Sequence, residues 1–235
     1  TKLHHVYALE NLVEAVHKHG SKVFVQLHHP GRQTKSYMMD GRDVVAPSAI
    51  PCQVTQEMPR ALTTEECKGL VKKFVTAAKY AQMAGADGVE LHAAHGYLLN
   101  QFLSPHTNKR TDEYGGSFEK RLRFITEIIL GIKSVCPGFP ISVRLSADEF
   151  VEEGNHLPEV VEIAKALEKL GVDALNISCG TYESGLTIIE PYSIPEGWKG
   201  YLAQTIKQAV SIPVISVNNI KRPAVAEKML EEGVC

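Results

Sequence analysis

Two stretches of the chain repeat one phrase, Ala84-Gly85-Ala86-Asp87-Gly88-Val89 and Leu170-Gly171-Val172-Asp173-Ala174-Leu175. Each follows an amphipathic helical pattern and leads into an apolar run. Glycine closes a helix in the left-handed conformation, so the phrase spells helix, stop, strand. Strands reached in this way run parallel, because each is preceded by a helix that crosses back over the sheet. The phrase therefore restricts the fold to a parallel α/β architecture. Residues 232–235 begin it a third time and halt where a strand is due, while the opening pattern of Leu9, Leu12, Val13 and Val16 has no strand ahead of it. From these two ends the chain is expected to be an internal piece of a longer protein.

Five strands are expected, over residues 22–28 (KVFVQLH), 87–92 (DGVELH), 140–146 (PISVRLS), 173–178 (DALNIS) and 213–218 (PVISVN). Thr63-Thr64-Glu65-Glu66 has the form of a capping box ahead of Leu70, Phe74, Ala78 and Ala81, which form one apolar helical stripe. Ser117 opens a helix carrying Leu122, Ile125, Ile128, Ile129 and Ile132, and Pro158 starts another through Val161, Ala164 and Leu167. Residues 30–62, rich in Pro, Gly and Asp, form a connection too long for slack inside a compact domain. A functional excursion is expected there.

Side chains alternate across a strand, and here the polar ones share one parity: Gln26 and His28, Glu90 and His92, Ser142, Arg144 and Ser146, Asn176 and Ser178, Ser216 and Asn218. An open doubly wound sheet is covered on both faces and would be apolar on both parities. A closed (β/α)8 TIM barrel turns one parity into its lumen. Polar residues at the carboxyl ends then point to a polar ligand seated in the mouth. The competing reading is a self-satisfied network in which Glu90 pairs with Arg144.

Lys plus Arg number 25 and Asp plus Glu 27, a net charge of −2 with no uninterrupted basic patch, which gives no footing for nucleic acid or an anionic membrane. No apolar run approaches the ~20 residues of a membrane-spanning helix. The 5 cysteines form no C-x-x-C pair, which argues against a disulfide framework and for a reducing, cytoplasmic setting. A homo-oligomer is compatible with all of this.

The densest chemistry stands after the second expected strand: Glu90-Leu91-His92-Ala93-Ala94-His95-Gly96-Tyr97-Leu98-Leu99-Asn100-Gln101-Phe102-Leu103-Ser104-Pro105. Two histidines and a tyrosine can direct several hydrogen-bond donors at one oxygen. With His28 or His29 as a third ligand the same cluster could hold a metal, which keeps a metal-dependent barrel hydrolase or lyase as the alternative. A Schiff-base aldolase is disfavoured, since no expected strand carries a lysine near its carboxyl end.

These residues resemble a known family. Val25-Gln26-Leu27-His28-His29-Pro30-Gly31-Arg32, the stretch His92 to Pro105, Asn108-Lys109-Arg110-Thr111-Asp112-Glu113-Tyr114-Gly115-Gly116-Ser117 and Val143-Arg144-Leu145 are similar, in order, to the old yellow enzyme family of FMN-dependent ene-reductases. The resemblance implies a (β/α)8 barrel of which residues 1–235 hold about the third to seventh strands, the first, second and eighth being absent. The ending 215–223 looks more like the anaerobic enoate, dienoyl-CoA and bile-acid reductase branch. Members of that branch commonly carry a 4Fe-4S cluster and an FAD module after the barrel.

The resemblance also implies roles. Gln26 and Arg144 would bind FMN, the amide at the pyrimidine edge and the fixed positive charge where the reduced ring collects negative charge. His92 and His95 would hydrogen-bond the carbonyl or carboxylate of a small α,β-unsaturated substrate. Tyr97 would protonate Cα after hydride from reduced FMN reaches Cβ, with NAD(P)H as the reductant. Asn218 and Asn219 would offer backbone N–H groups to the FMN phosphate, and Tyr182 and Trp198 would line the substrate pocket. Tyr182 stands where dienoyl-CoA reductases place a histidine, a departure from that chemistry.

Overall fold

A computed structural model of the chain describes residues 2–217 and 219–235. In chain order the elements are α1 (His5–His17), β1 (Phe24–Leu27), two short strands β2 (Val45–Ala46) and β3 (Arg60–Ala61), α2 (Thr64–Met83), β4 (Gly88–Ala93) and α3 (Leu98–Leu103). They continue as α4 (Phe118–Val135), β5 (Ile141–Ser146), α5 (Leu157–Lys169), β6 (Ala174–Ser178), α6 (Gly200–Lys207), β7 (Val214–Ser216) and α7 (Pro223–Glu231). The main sheet is parallel throughout in the order β1-β4-β5-β6-β7, so each long strand lies beside the next one in sequence. This is the strand order of a winding (β/α) barrel. The expected strands are all present, with ends displaced by one or two residues.

The repeated phrase has a common mechanism. Gly85 and Gly171 close α2 and α5 at φ 80° and 81°. The aspartate two positions later then accepts a backbone N–H from the start of the neighbouring strand: Asp87 from Val23 at 2.8 Å, Asp173 from Ile141 at 2.8 Å. Asp87 is further held by Lys22 and His17. One short carboxylate thus sets the register of two strands and satisfies a donor that the ladder leaves open.

Thr63 caps α2 in a complete capping box with Glu66, and Ser117 caps α4, as their sequences dictate. Along α4 the side chains of Leu122, Ile125, Ile128, Ile129 and Ile132 are buried, each contributing about 1.5–3 kcal/mol of apolar burial. Gly131 lets α4 approach α2, because a Cβ there would meet Val75 Cγ2 at 2.6 Å. None of the described helices is long and apolar enough to cross a membrane.

The register confirms the two-faced reading for four strands. Gln26 aligns with Glu90 and Glu90 with Ser142, while His92 aligns with Arg144 and Arg144 with Asn176. Val89, Leu91, Ile141, Val143, Leu145, Leu175 and Ile177 all pack into the core. The last strand corrects the sequence reading. Asn176 aligns with Ile215 and Ile177 with Ser216, so Ile215 shares the polar residues' face and Ser216 lies on the other. The stretch Val214-Ile215-Ser216-Val217 has apolar residues on both parities, and the burial of Val214 against the core decides between them. Asn218 lies outside the described residues.

The excursion 30–62 contains a single-turn 3-10 helix (Ser36–Met39) and the parallel pair β2–β3. It carries Arg32 into the interior, where 2 % of its surface remains accessible.

Candidate active site at the carboxyl ends of the strands

Glu90 organises the lower layer. Its carboxylate accepts from Gln26 Nε2 at 2.7 Å, from Asn176 Nδ2 at 2.9 Å and from Ser142 Oγ at 3.3 Å. The alternative pairing of Glu90 with Arg144 is therefore not formed. Arg144 joins no ion pair among the described residues, and its Nε is buried without a hydrogen-bond partner. Asn176 Oδ1, on the adjacent strand and in register with Arg144, is likewise buried and unpaired. Orphaned groups of this kind are costly unless a bound group satisfies them.

Above this layer, β4 delivers His92, His95 and Tyr97 together. The ring centroids of His92 lie 5.1 Å from His95 and 4.8 Å from Tyr97, and His28 packs edge-on against Tyr97 at 4.2 Å. His92 Nδ1 accepts the backbone N–H of Ala94 at 3.3 Å, so the hydrogen of its neutral ring sits on Nε2, the nitrogen left to donate. His95 Nε2 lies 2.7 Å from Ser178 Oγ. The Tyr97 and Tyr182 hydroxyls are 2.8 Å apart.

The turn that aims these groups is tightly determined. His95 and Gly96 are both left-handed, at φ 60° and 77°. A Cβ at Gly96 would meet Gln33 Oε1 at 2.5 Å, so glycine is required there by space as well as by φ. The His95 N–H is bound by Ser146 Oγ at 2.8 Å and the Gly96 N–H by Asn100 Oδ1 at 2.6 Å. Asn100 in turn donates to Glu149, a carboxylate 1 % exposed that also accepts from Ser104. Burial pushes the Glu149 carboxyl up from its ordinary value. Asn100→Ala strips Gly96 and Glu149 of partners at once and is expected to cost about 2–4 kcal/mol, read as a lowered Tm.

Burial lowers the His92 pKa to about 4 and the His95 pKa to about 3, with neighbouring His28 and Arg144 among the charges that add to it. Both rings are neutral at pH 7. Because the folded-state values lie below the ordinary 6.5, the unfolded chain takes up protons first as pH falls. Stability from these two rings is complete above pH 6.5 and is lost progressively below it, down to about pH 4 for His92 and about pH 3 for His95. Thermal melts across that window should show the loss, and His92→Asn should flatten it; an unchanged slope in the variant refutes the assignment.

Tyr182, Tyr97, His95, Arg144 and Asn219 line one cavity of about 470 Å³. The Asn219 side chain is spent on the loop above, donating to the Ile194 and Pro195 carbonyls. Trp198, expected to line the pocket, is not among the residues that line this cavity; its indole N–H is bound to Glu190, which is. Among the described residues no group of three His, Cys, Asp or Glu can hold a metal ion. Glu149, His106 and Glu183 escaped the sequence reading, and Arg32 and Asn100 stand inside the quoted stretches without a role assigned to them; their partners in the folded chain single them out.

A parallel winding sheet whose carboxyl ends gather a guanidinium with an unsatisfied Nε, an orphaned amide oxygen, two neutral imidazoles and a phenol suits a barrel built around a polar ring ligand and an oxygen-bearing substrate. The chain belongs to the NADH:flavin oxidoreductase / NADH oxidase family, whose sequence profile matches residues 2–234. It is 53 % identical to an NADH oxidase of Thermoanaerobacter brockii, over 94 % of this chain and 34 % of that protein. It is 40 % identical to an NADPH dehydrogenase of Halalkalibacterium halodurans, over 97 % of this chain and 64 % of that protein. Among solved structures, a 2-naphthoyl-CoA reductase in complex with 2-naphthoyl-CoA superposes with a TM-score of 0.93 at 32 % identity, over 100 % of this chain and 38 % of that one. The chain thus spans about a third to two thirds of the length of the proteins it matches. The barrel fold of these neighbours agrees with the strand order here.

FMN and a nicotinamide nucleotide are the cofactors of this family. The residues present fit a flavin: the unpaired Arg144 Nε and Asn176 Oδ1 offer a donor and an acceptor to the polar edge of such a ring, and Gln26 stands in the layer below.

Proposed function

We propose that this chain forms the third to seventh strand units of an FMN-binding barrel in an NAD(P)H-dependent ene-reductase, an enzyme that reduces the C=C bond of an α,β-unsaturated carbonyl or carboxylate. The observation that carries this reading is the cavity that brings Tyr97 and the neutral His95 beside an unpaired Arg144. FMN, when bound, supplies the hydride at this site. Arg144 and Gln26 hold its pyrimidine edge, the guanidinium favouring the state in which that edge is negative. The phosphate is assigned to the stretch that holds Asn219 and Asn218, the latter outside the described residues.

His92, with its hydrogen on Nε2, and His95 bind the substrate oxygen and stabilise the negative charge that grows there as the double bond is attacked. Neutral rings suit this task, because they donate without protonating the oxygen. Tyr97 gives its hydroxyl proton to Cα. Burial, followed by the hydrogen bond with Tyr182, raises the Tyr97 pKa well above the ordinary phenol value, so the proton is in place at neutral pH. Tyr182 closes the cavity on the substrate side, and Trp198 supports that wall through Glu190.

The test is made on the full-length protein. A flavin spectrum that is bleached by NAD(P)H and restored under anaerobic conditions by an enone or enoate supports the proposal. A protein bleached by NAD(P)H and insensitive to every activated alkene offered refutes the ene-reductase part.

A further inference from the structure

Three distant segments converge on one carboxylate beside the cavity. Glu183 Oε2 accepts from Arg32 Nη2 at 2.7 Å and from His106 Nε2 at 2.9 Å, and its Oε1 accepts the Gln53 N–H at 3.1 Å. The partners lie 151, 77 and 130 residues away in sequence. The Arg32 and Glu183 side chains are 2 % and 4 % exposed, and Arg32 Nη1 is bound to the Pro51 carbonyl at 3.0 Å. Burial pushes the Glu183 carboxyl up, but the hydrogen bond from His106 and the charge of Arg32 outweigh it and hold its pKa at about 2. The Glu183 carboxylate is therefore ionised at neutral pH.

Its neighbour in the chain is Tyr182, whose hydroxyl sits 2.8 Å from that of Tyr97. The turn between them is rigid as well: Ser184 Oγ accepts the Thr181 N–H at 2.8 Å, and Gly180, at φ 77°, leaves no room for a Cβ beside Thr187 Oγ1 at 2.4 Å. Buried ion clusters are seldom more stabilising than apolar residues of the same volume, but they do impose a single geometry. The contact that stands next to this cluster is that of the two phenols.

We propose that the Arg32–Glu183–His106 cluster is the positioning unit of the acid, holding the Tyr182 hydroxyl on the Tyr97 hydroxyl so that Tyr182 restores the proton Tyr97 gives up. The inference rests on the reading of Tyr97 as the acid. As the new Cα–H bond forms, the Tyr97 O–H bond breaks and leaves its electron pair on the phenolate oxygen. The Tyr182 proton then crosses to that oxygen, and water entering the cavity gives a proton to the Tyr182 phenolate, its O–H bond breaking and the hydroxide leaving to be neutralised in bulk solvent. Glu183 acts through Tyr182, and Arg32 and His106 act through Glu183; none of the three touches the reacting atoms.

The experiment compares Tyr182→Phe, Glu183→Gln and the double variant in the full-length, flavin-loaded protein. Stopped-flow reoxidation by the alkene should slow about tenfold in each single variant, and the double variant should be no slower than Tyr182→Phe alone, the non-additivity expected of residues acting in one chain. In 13C-tyrosine NMR spectra the Tyr97 phenolic carbon signal should move in Tyr182→Phe and move equally in Glu183→Gln, an effect that a general loss of stability does not produce. Additive rate effects, or a Tyr97 signal unmoved in Glu183→Gln, overturn the proposal. Should Glu183→Gln fail to fold, His106→Ala keeps the Arg32–Glu183 pair, removes the more exposed partner and carries the same two readouts. A wild-type reoxidation rate in Tyr97→Phe would instead refute the acid assignment itself, which separates the two failures.

Discussion

Tyr97→Phe is expected to slow reoxidation of the reduced flavin by an enone or enoate by about 10²–10⁴-fold, the range for removal of a positioned general acid. Flavin reduction by NAD(P)H should keep nearly its wild-type rate, because that half-reaction draws no proton from the tyrosine. The ring remains in the variant, so its packing against His28 and His92 is retained and the loss is confined to the hydroxyl. His92→Ala should differ by also weakening the binding of phenols and carboxylates that resemble the substrate, since it removes a donor to the substrate oxygen. Stopped-flow measurement of both half-reactions decides. Reoxidation at the wild-type rate in Tyr97→Phe means that the proton comes from elsewhere.

Arg144→Ala is expected to weaken FMN binding by about 10–100-fold, the worth of one or two hydrogen bonds from a charged donor, and to lower the reduction potential of whatever flavin is retained. The absence of a carboxylate partner sharpens this prediction. A guanidinium in a structural ion pair would leave an unpaired acid behind when removed, and the flavin-free protein would lose stability. Among the described residues Arg144 has no such partner, and its Nε is already unsatisfied, so the flavin-free variant should melt at or above the wild-type temperature. A lower Tm of the flavin-free variant, with the potential of the bound flavin unchanged, would mark Arg144 as structural.

The sequence carried the fold wherever a local signal had one physical cause. The Gly85 and Gly171 stops, the Thr63 capping box and the period-2 alternation of β4 and β5 each follow from contacts within a few residues or across one neighbouring strand. The grouping of His92, His95 and Tyr97 was legible for the same reason, since one strand end and one turn deliver all three. In β7, Ile215 and Val217 are as apolar as Val214, and only packing against the core could choose the inward face. Glu90 shares one face with several polar side chains, and its bonding to Gln26, Asn176 and Ser142 rather than to Arg144 depends on side-chain reach, not on order along the chain. The excursion 30–62 was recognisable as too long to be idle, yet nothing within it announces that Arg32 will meet an acid 151 residues away. Contacts of that range leave no periodicity to read.

The left-handed backbone of His95 also limits how the site can diverge. A φ of 60° is open to glycine, and among other residues chiefly to asparagine, aspartate and histidine, whereas a β-branched side chain there is strongly strained. Of the tolerated set, only histidine and asparagine are neutral at pH 7 and able to donate a hydrogen bond to a substrate oxygen. The torsion angle acts as a filter on mutation: descendants of this chain can exchange one donor for the other while the turn survives, and a change to valine or threonine is blocked by the backbone before substrate selectivity is ever tested.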